Sequence, residues 1–346
     1  MADILLESIN PFGNLQAIVE ADERVVYFYL HGGRDSDFGT RSVWVRNLLS
    51  APSELDINGM KEGIPPLQIR AQTVQPQGGP RPAPEALRIE WLPEGNGAAL
   101  YEGDEVLAII PPWAGYKGFP GYARDAIGEG LLAWELRSDN VLFERFEEAG
   151  RYWAMWDDPE LWGRTQEQFV TLAESIFGPH TNYYAIDGGH WPPKAILRFT
   201  QRDRTVLMTI GLSLLPQPNV DMNTDRAESL RRIEIGTILP PTWSDGAVKQ
   251  FASYLSAQSG LPWNNFTWLG PSHTIPCDSW QNPQFTAAVL VDKHPDGPKV
   301  DLGFQFDDPI TMLWFLPITE PERTLAMESG SDAMLQQLPT GRWVQA

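Results

Sequence analysis

The hydrophobic and polar positions of this chain fall into short runs, most of them with the period of a β-strand. Residues 24–30 (RVVYFYL) are β-branched and aromatic and stop at Gly32-Gly33, which predicts a strand. In 42–48, Val43 and Val45 alternate with Trp44 and Arg46, so a second strand is expected with the two pairs on opposite faces. Residues 86–92 and 105–110 are further strands, ended by Pro93 and by Pro111-Pro112. The intervening 75–84 (QPQGGPRPAP) suits neither a helix nor an interior strand and reads as an exposed loop.

The period changes in the middle of the chain. Over 140–155, Leu142, Phe146, Ala149 and Trp153 recur at helical spacing and form one apolar stripe. Asp158 as N-cap with Pro159 at the first helical position opens a second helix. Its buried face is Leu161, Phe169, Leu172 and Ile176, and Gly178-Pro179 stops it. The strand period then returns. Residues 195–200 and 205–212 predict a hairpin around 201–204, and 232–239 a strand ended by Pro240-Pro241. A helix over 244–256 buries Val248, Phe251, Ala252 and Leu255, and strands follow at 285–292, 300–306 and 310–317. Thr319 and Glu322 have the spacing of a capping box, in which hydroxyl and carboxylate satisfy unpaired N–H groups of a first helical turn. A last short helix is expected over 333–338. These elements predict an α+β fold of mixed, mostly antiparallel sheets with flanking helices. Two sub-domains are expected, 1–157 and 158–346.

Charge narrows the choice of partner. The 346 residues carry 45 acidic and 26 basic side chains, a formal net charge of −19. Nucleic acid and anionic membrane surfaces are poor partners for such a chain, whereas a basic protein suits it. The excess is spread evenly, with 23 acidic and 12 basic side chains in 1–150 and 22 and 14 in 151–346, so charge alone does not locate an interface. The N-terminal segment lacks the basic and apolar regions of a secretory signal, and no run of ~18 apolar residues predicts a membrane span. A cytoplasmic location is expected.

Candidate catalytic groups are few. His31-Gly32-Gly33 follows a strand as the oxyanion loop of α/β-hydrolases does, but the serine elbow that should accompany it is incomplete. Its nearest approach, Gly211-Leu212-Ser213-Leu214-Leu215, ends in leucine and runs into Pro216. A hydrolase using His31 and Ser213 is therefore the alternative reading. The five histidines include no pair at the spacing of a helical metal motif, and His180, Asp187 and His190 would converge only through a particular loop fold. Cys277, the single cysteine, lies in an expected loop four residues after His273 and forms no intramolecular disulfide. No phosphate-binding glycine motif occurs, and the fourteen tryptophans read as core. Neither a cofactor nor a catalytic residue is assigned.

Three groups of residues between 194 and 338 resemble the Suppressor of fused domain family, particularly its bacterial type. The first is MTIGLSLLP (208–216), then RIEI (232–235) and PPTW (240–243). The second is NFTWLG (265–270) with His273, then FTAAVL (285–290). The third is LWFLPITE (313–320), continuing through Glu322 and Gly330 to Leu335. FGTRSVWVRN (38–47) and IPPW (110–113) are similar to the region that accompanies this domain in some bacterial proteins. The resemblance implies an α+β domain without a catalytic role. The animal relative is a cytoplasmic repressor that sequesters a transcription factor, and bacterial members serve as immunity proteins that bind and block a toxin domain. By this reading the chain is a non-catalytic protein-binding module with a basic toxin domain as partner. A general cytoplasmic scaffold is the other alternative. The family's partner-binding residues have no position-by-position match here, so the interface stays unassigned.

Overall fold

The computed structural model describes residues 2–33 and 36–346; Met1, the start of the N-terminal segment discussed above, lies outside them. The chain divides into two compact units, one of residues up to 157 with 264–266, the other of 158–263 and 267–346.

The first unit has two sheets. The meander β1 (Asp3–Ile9), β2 (Leu15–Ala21), β3 (Val25–Gly32) and β4 (Thr40–Asn47) is antiparallel throughout. After a short helix α1 (Ile57–Lys61) come β5 (Leu87–Trp91), β6 (Ala98–Glu102), β7 (Glu105–Ile110), β8 (Tyr122–Ala123) and β9 (Trp134–Glu135) of the second sheet. Phe28, Leu30 and Trp44 of the first sheet share a core with Leu100, Leu107 and Ile110 of the second. Ala99, Tyr101 and Ile109 turn the other way and bury Leu142, Phe146 and Ala149 of helix α2 (Leu142–Met155). The layers are thus sheet, sheet, helix, with β6 and β7 alternating between two apolar surroundings.

In β4, Val43, Trp44, Val45, Arg46 and Asn47 are all buried, so both faces of the strand are covered. The polar side chains are covered because they have partners. The Trp44 indole donates to Asn47 Oδ1 at 2.8 Å, Asn47 Nδ2 donates to the Gln68 carbonyl at 2.8 Å, and Arg46 Nε donates to Asp125 Oδ2 at 2.7 Å. Loop 75–84 closes this side. Gly79 N–H donates to the Asn47 carbonyl at 2.8 Å, and Gly78, at φ +86°, leaves no room for a Cβ against the Leu48 backbone.

The second unit is one large sheet with helices on both faces. Its elements are α3 (Leu161–Phe177), β10 (Asn182–Ala185), β11 (Ala195–Thr200), β12 (Thr205–Ile210), α4 (Val220–Asn223), α5 (Ala227–Leu230) and β13 (Arg232–Leu239). They continue with α6 (Asp245–Gln258), α7 (Leu261–Asn264), β14 (Thr274–Pro276), β15 (Phe285–Val291), β16 (Phe304–Gln305), β17 (Asp308–Thr319), α8 (Glu320–Ser329) and α9 (Ser331–Leu335). The strand order is β10-β11-β12-β13-β17-β15-β14, with β16 paired to β17. Every pair is antiparallel except β13 with β17, which run parallel at the centre. Leu197, Phe199, Met208, Met312 and Trp314 face α3 through Phe169, Ala173 and Phe177. Their neighbours Ile196, Leu207, Ile233, Ile235, Leu313 and Phe315 face α6 through Val248, Phe251 and Leu255. Burial on both faces explains why the central strands read as unbroken apolar runs.

Several expected boundaries move, three of them with an evident local cause or consequence. Helix α3 begins at Leu161, not at Pro159, while Asp158 Oδ1 still accepts from the Glu160 N–H at 2.9 Å and its other oxygen pairs with Arg164. The strand expected over 300–306 shrinks to Phe304–Gln305. It forms a hairpin with β17 whose two loop residues, Phe306 and Asp307, have φ of +50° and +65°, the left-handed pair of a type I′ turn. The last short helix sits at Ser331–Leu335, starting directly after Gly330. The capping box of Thr319 and Glu322 forms as read.

Gly236 sits on β13 where no Cβ fits: it would meet the Leu207 carbonyl oxygen and Met312 Cε, each at 2.4 Å. Gly236→Ala is expected to cost about 1–3 kcal/mol through overpacking, measured as a lowered urea midpoint with unchanged slope.

Candidate functional site

Of the residues singled out for chemistry, the structure buries or occupies most. His31 is on β3, where Nδ1 lies 3.0 Å from Thr40 Oγ1 and the ring stacks on Tyr29. Ser213 belongs to the other unit, is 0% exposed, and donates its Oγ proton to Glu234 Oε1 at 2.8 Å. A serine closed off from solvent and hydrogen-bonded to a buried acid offers a substrate no approach. His180 Nδ1 is 2.6 Å from Glu174 Oε1, and Asp187 accepts backbone N–H groups of Gly189 and Lys194 at 2.8 and 3.2 Å. Among the described residues no group of three or more His, Cys, Asp or Glu is placed to hold a metal ion. Cys277 lies in the loop after β14, as expected, but is packed in the core with Phe251, Trp280 and Phe285, and burial pushes its thiol up to about 11. His273 instead sets its ring edge-on to Trp268, 4.4 Å between centroids.

What the structure does bring together is the first group of family-like residues, 208–216 with 232–235. Glu234 on β13 is fully buried. Its Oε1 accepts from the Gly211 N–H at 2.9 Å, the Ser213 N–H at 3.0 Å and Ser213 Oγ at 2.8 Å. Its Oε2 lies 2.7 Å from Thr209 Oγ1, which also accepts from the Ile235 N–H at 2.8 Å and lies 3.1 Å from the Ile235 carbonyl. Gly211 supplies the φ of +97° that aims its N–H there, with no space for a Cβ beside the Pro193 carbonyl.

Counting protons gives the state of Glu234. Thr209 has one hydroxyl proton and two acceptors, Glu234 Oε2 and the Ile235 carbonyl. If Glu234 is ionised, one acceptor goes without. If Glu234 carries a proton on Oε2, it donates to Thr209, and Thr209 donates onward to Ile235. Desolvation acts the same way, raising the Glu234 pKa above its ordinary range against the lowering effect of the Ser213, Thr209 and Gly211 hydrogen bonds. The motif around Ser213 is therefore a cradle for a buried acid whose pKa lies above its ordinary range.

Beside it, Arg232 Nη1 donates to the Ser213 and Leu214 carbonyls at 2.9 and 3.0 Å, and Nε donates to Asp308 Oδ2 at 3.2 Å. Gln217 continues the ties, donating to the Leu230 and Leu269 carbonyls and accepting from the Leu269 N–H at 2.8 Å. The NFTWLG run is thereby fastened to the same loop. The sequence carried one sign of this: charged Arg232 and Glu234 inside the otherwise apolar RIEIGTIL.

Two cavities lie away from this network, one in each unit. That of the first unit, about 600 Å³, is lined by Phe143 and Phe146 and rimmed by Arg88, Glu90, Asp104, Glu105, Arg124 and Glu147. That of the second, about 290 Å³, lies between the end of β15 and the segment after α9.

Comparison with known proteins points to one family. Residues 190–344 match the family model described as Suppressor of fused protein (SUFU). Residues 190–344 of this chain are similar to the Suppressor of fused domain. Among solved structures, a chain of "the Sufu-Fu complex crystal structure" aligns at 12% identity over 50% of this chain and 82% of that chain, with a TM-score of 0.36. No curated protein matches the sequence. The runs that carried the resemblance are thus the ones that build the Glu234 cradle and the central strands of the second unit.

Two measurements check this account. Glu234→Ala removes the acceptor for three buried donors and is expected to cost about 3 kcal/mol or more, whereas Glu234→Gln, which can donate to Thr209, stays within about 2 kcal/mol of the parent. Because folding raises the Glu234 pKa, its contribution is complete below the ordinary glutamate range and declines as pH rises through the folded value. Urea unfolding across pH is expected to show that decline in the parent and not in Glu234→Gln. Separately, Cys277 is expected to be silent to an aromatic disulfide reagent at pH 8 in the native protein and to react fully once unfolded.

Proposed function

We propose that the chain is a non-catalytic protein-binding module that binds and neutralises a basic toxin domain in the manner of an immunity protein. The Suppressor of fused match over residues 190–344 carries the reading, because this family suggests a protein-binding module. The fate of the polar residues supports it: Ser213, Thr209 and Glu234 are used to hold strands together. The net charge of −19 supports the choice of a basic partner, since a toxin that cleaves nucleic acid needs a cationic cleft that an acidic protein can approach quickly and cover. Among the described residues no helix is long and apolar enough to cross a membrane. A cytoplasmic site of action belongs to the same proposal.

The test is co-expression with a toxin-like domain encoded beside the gene. Growth is expected to be rescued and a complex to co-purify, with an association rate that falls about tenfold or more between low salt and ~0.5 M salt. A neighbour that stays toxic and forms no complex removes the immunity reading, and a complex indifferent to salt removes the electrostatic part of it.

A further inference from the structure

The outer strands of the sheets differ in what they leave open. β10 and β14 are four and three residues long, and β14 closes on Pro276. On β4 the Trp44 N–H donates to the Leu132 carbonyl at 3.0 Å. β1 lies at the end of its sheet with seven residues paired to β2 alone. The ladder fixes which of its backbone groups are free. Asn10, directly after β1, donates its N–H to the Leu15 carbonyl at 2.9 Å and so faces β2. Successive residues of a strand turn their N–H and C=O groups to alternate sides, so Ser8 and Leu6 bond β2 while Ile9 and Glu7 point away from it. Among the described residues these outward groups make no hydrogen bond. The side chains keep the same parity. Leu6 packs on the core and Ser8 Oγ accepts from the Trp91 indole at 3.1 Å, whereas Glu7 and Ile9 are exposed, Ile9 by 64%.

An open edge of this length is a template for a further strand, and charge decides which strand suits it. β1 and β2 carry Asp3, Glu7 and Glu20 and no lysine or arginine. Asp3 is matched by Arg81 at 2.7 Å. Glu7 accepts from the neutral Gln16 Nε2 at 3.1 Å, and Glu20, on the same face of the sheet, enters no ion pair among the described residues. A second copy of β1 would bring its own Glu7 to this face, on a chain already at −19, and like charges across a ladder repel. A strand with lysine or arginine at alternate positions instead places a cation directly beside Glu7.

We propose that β1 is the docking edge for an extended basic segment of a protein partner. The segment adds a fifth strand to the sheet by pairing with the N–H and C=O groups of Glu7 and Ile9, and sets a lysine or arginine against the Glu7 carboxylate. The partner is the basic one of the protein-binding reading, on which this docking edge rests.

The probe is a capped heptapeptide of alternating lysine and valine, followed through the ¹H–¹⁵N amide resonances of the protein. The Glu7 and Ile9 amides are expected to shift saturably and, at saturation, to exchange with deuterium at least about tenfold more slowly. The same peptide N-methylated at its lysines keeps its charge but loses the pairing N–H groups, and is expected to bind at least about tenfold more weakly. Glu7→Pro removes an N–H that β2 does not use, so it is expected to melt near the parent temperature and to weaken the peptide at least about tenfold. Glu7→Lys, which keeps the backbone intact, is expected to weaken it by a smaller factor. Unmoved Glu7 and Ile9 resonances, or equal binding of the N-methylated peptide, would each overturn the proposal, whatever the variants do. A toxin-domain complex that survives both Glu7→Pro and Glu7→Lys overturns it too and leaves the protein-binding reading standing. A peptide that docks on β1 while no neighbouring toxin domain forms a complex supports the edge and removes the immunity reading.

Discussion

A carboxylic acid at the centre of a sheet needs partners for both of its oxygens, and the second unit supplies them within three residues of a charged arginine on the same strand. Glu234 is enclosed by donors from Gly211 and Ser213 and shares a proton relay with Thr209. Arg232, two residues earlier, is matched to Asp308 and to two carbonyls of the same loop. Loop 211–217 has no regular strand of its own beyond a short 3₁₀ turn, so these side chains stand in for a ladder of backbone hydrogen bonds. Through Gln217 the same loop fixes Leu269, and through Pro216 it accepts the Trp263 indole N–H at 3.0 Å. Remove the acid, and three segments distant in sequence lose their common attachment.

Such networks confer geometry more than net stability. A hydrophobic residue at 234 could contribute as much burial, but it would leave the loop N–H groups unpaired and its path unspecified. The first unit solves the same problem differently: Arg46 of β4 and Asp125, just after β8, form a buried ion pair, with Asn47 and Gln68 exchanging hydrogen bonds beside it. In both units the polar interior marks a place where irregular chain is held against a strand. Both cases account for motifs that stand out in the sequence without doing chemistry.

How much of this the sequence showed follows from what each signal measures. Strand and helix periods report local burial, so β13, β7 and β11 were legible to the residue, and β12 to within two residues of its end. The strand β2 has a clean signal in the alternation of Leu15, Ala17, Val19 and Ala21, whereas β1 is largely exposed and carries little. β6 (Ala98–Glu102) is alanine-rich and has little strand propensity of its own; packing on two faces makes it a strand. At the site, Ser213 stood out as a nucleophile because sequence displays residue type and not burial. Its true partner, Glu234, lies 21 positions away and is visible only once β12 and β13 are side by side. The cavity of the second unit had no sequence signal, since its walls come from β15, β17 and the C-terminal segment.

The parallel pairing of β13 with β17 has a consequence for synthesis. Arg232 aligns with Ile310, so the middle of the sheet waits for a strand that leaves the ribosome almost eighty residues later. Until then the nascent chain presents β13 with one long edge open and its acid in water, in the charged form. Parallel neighbours so far apart in sequence close slowly, because the intervening loop must lose its freedom before any contact repays it.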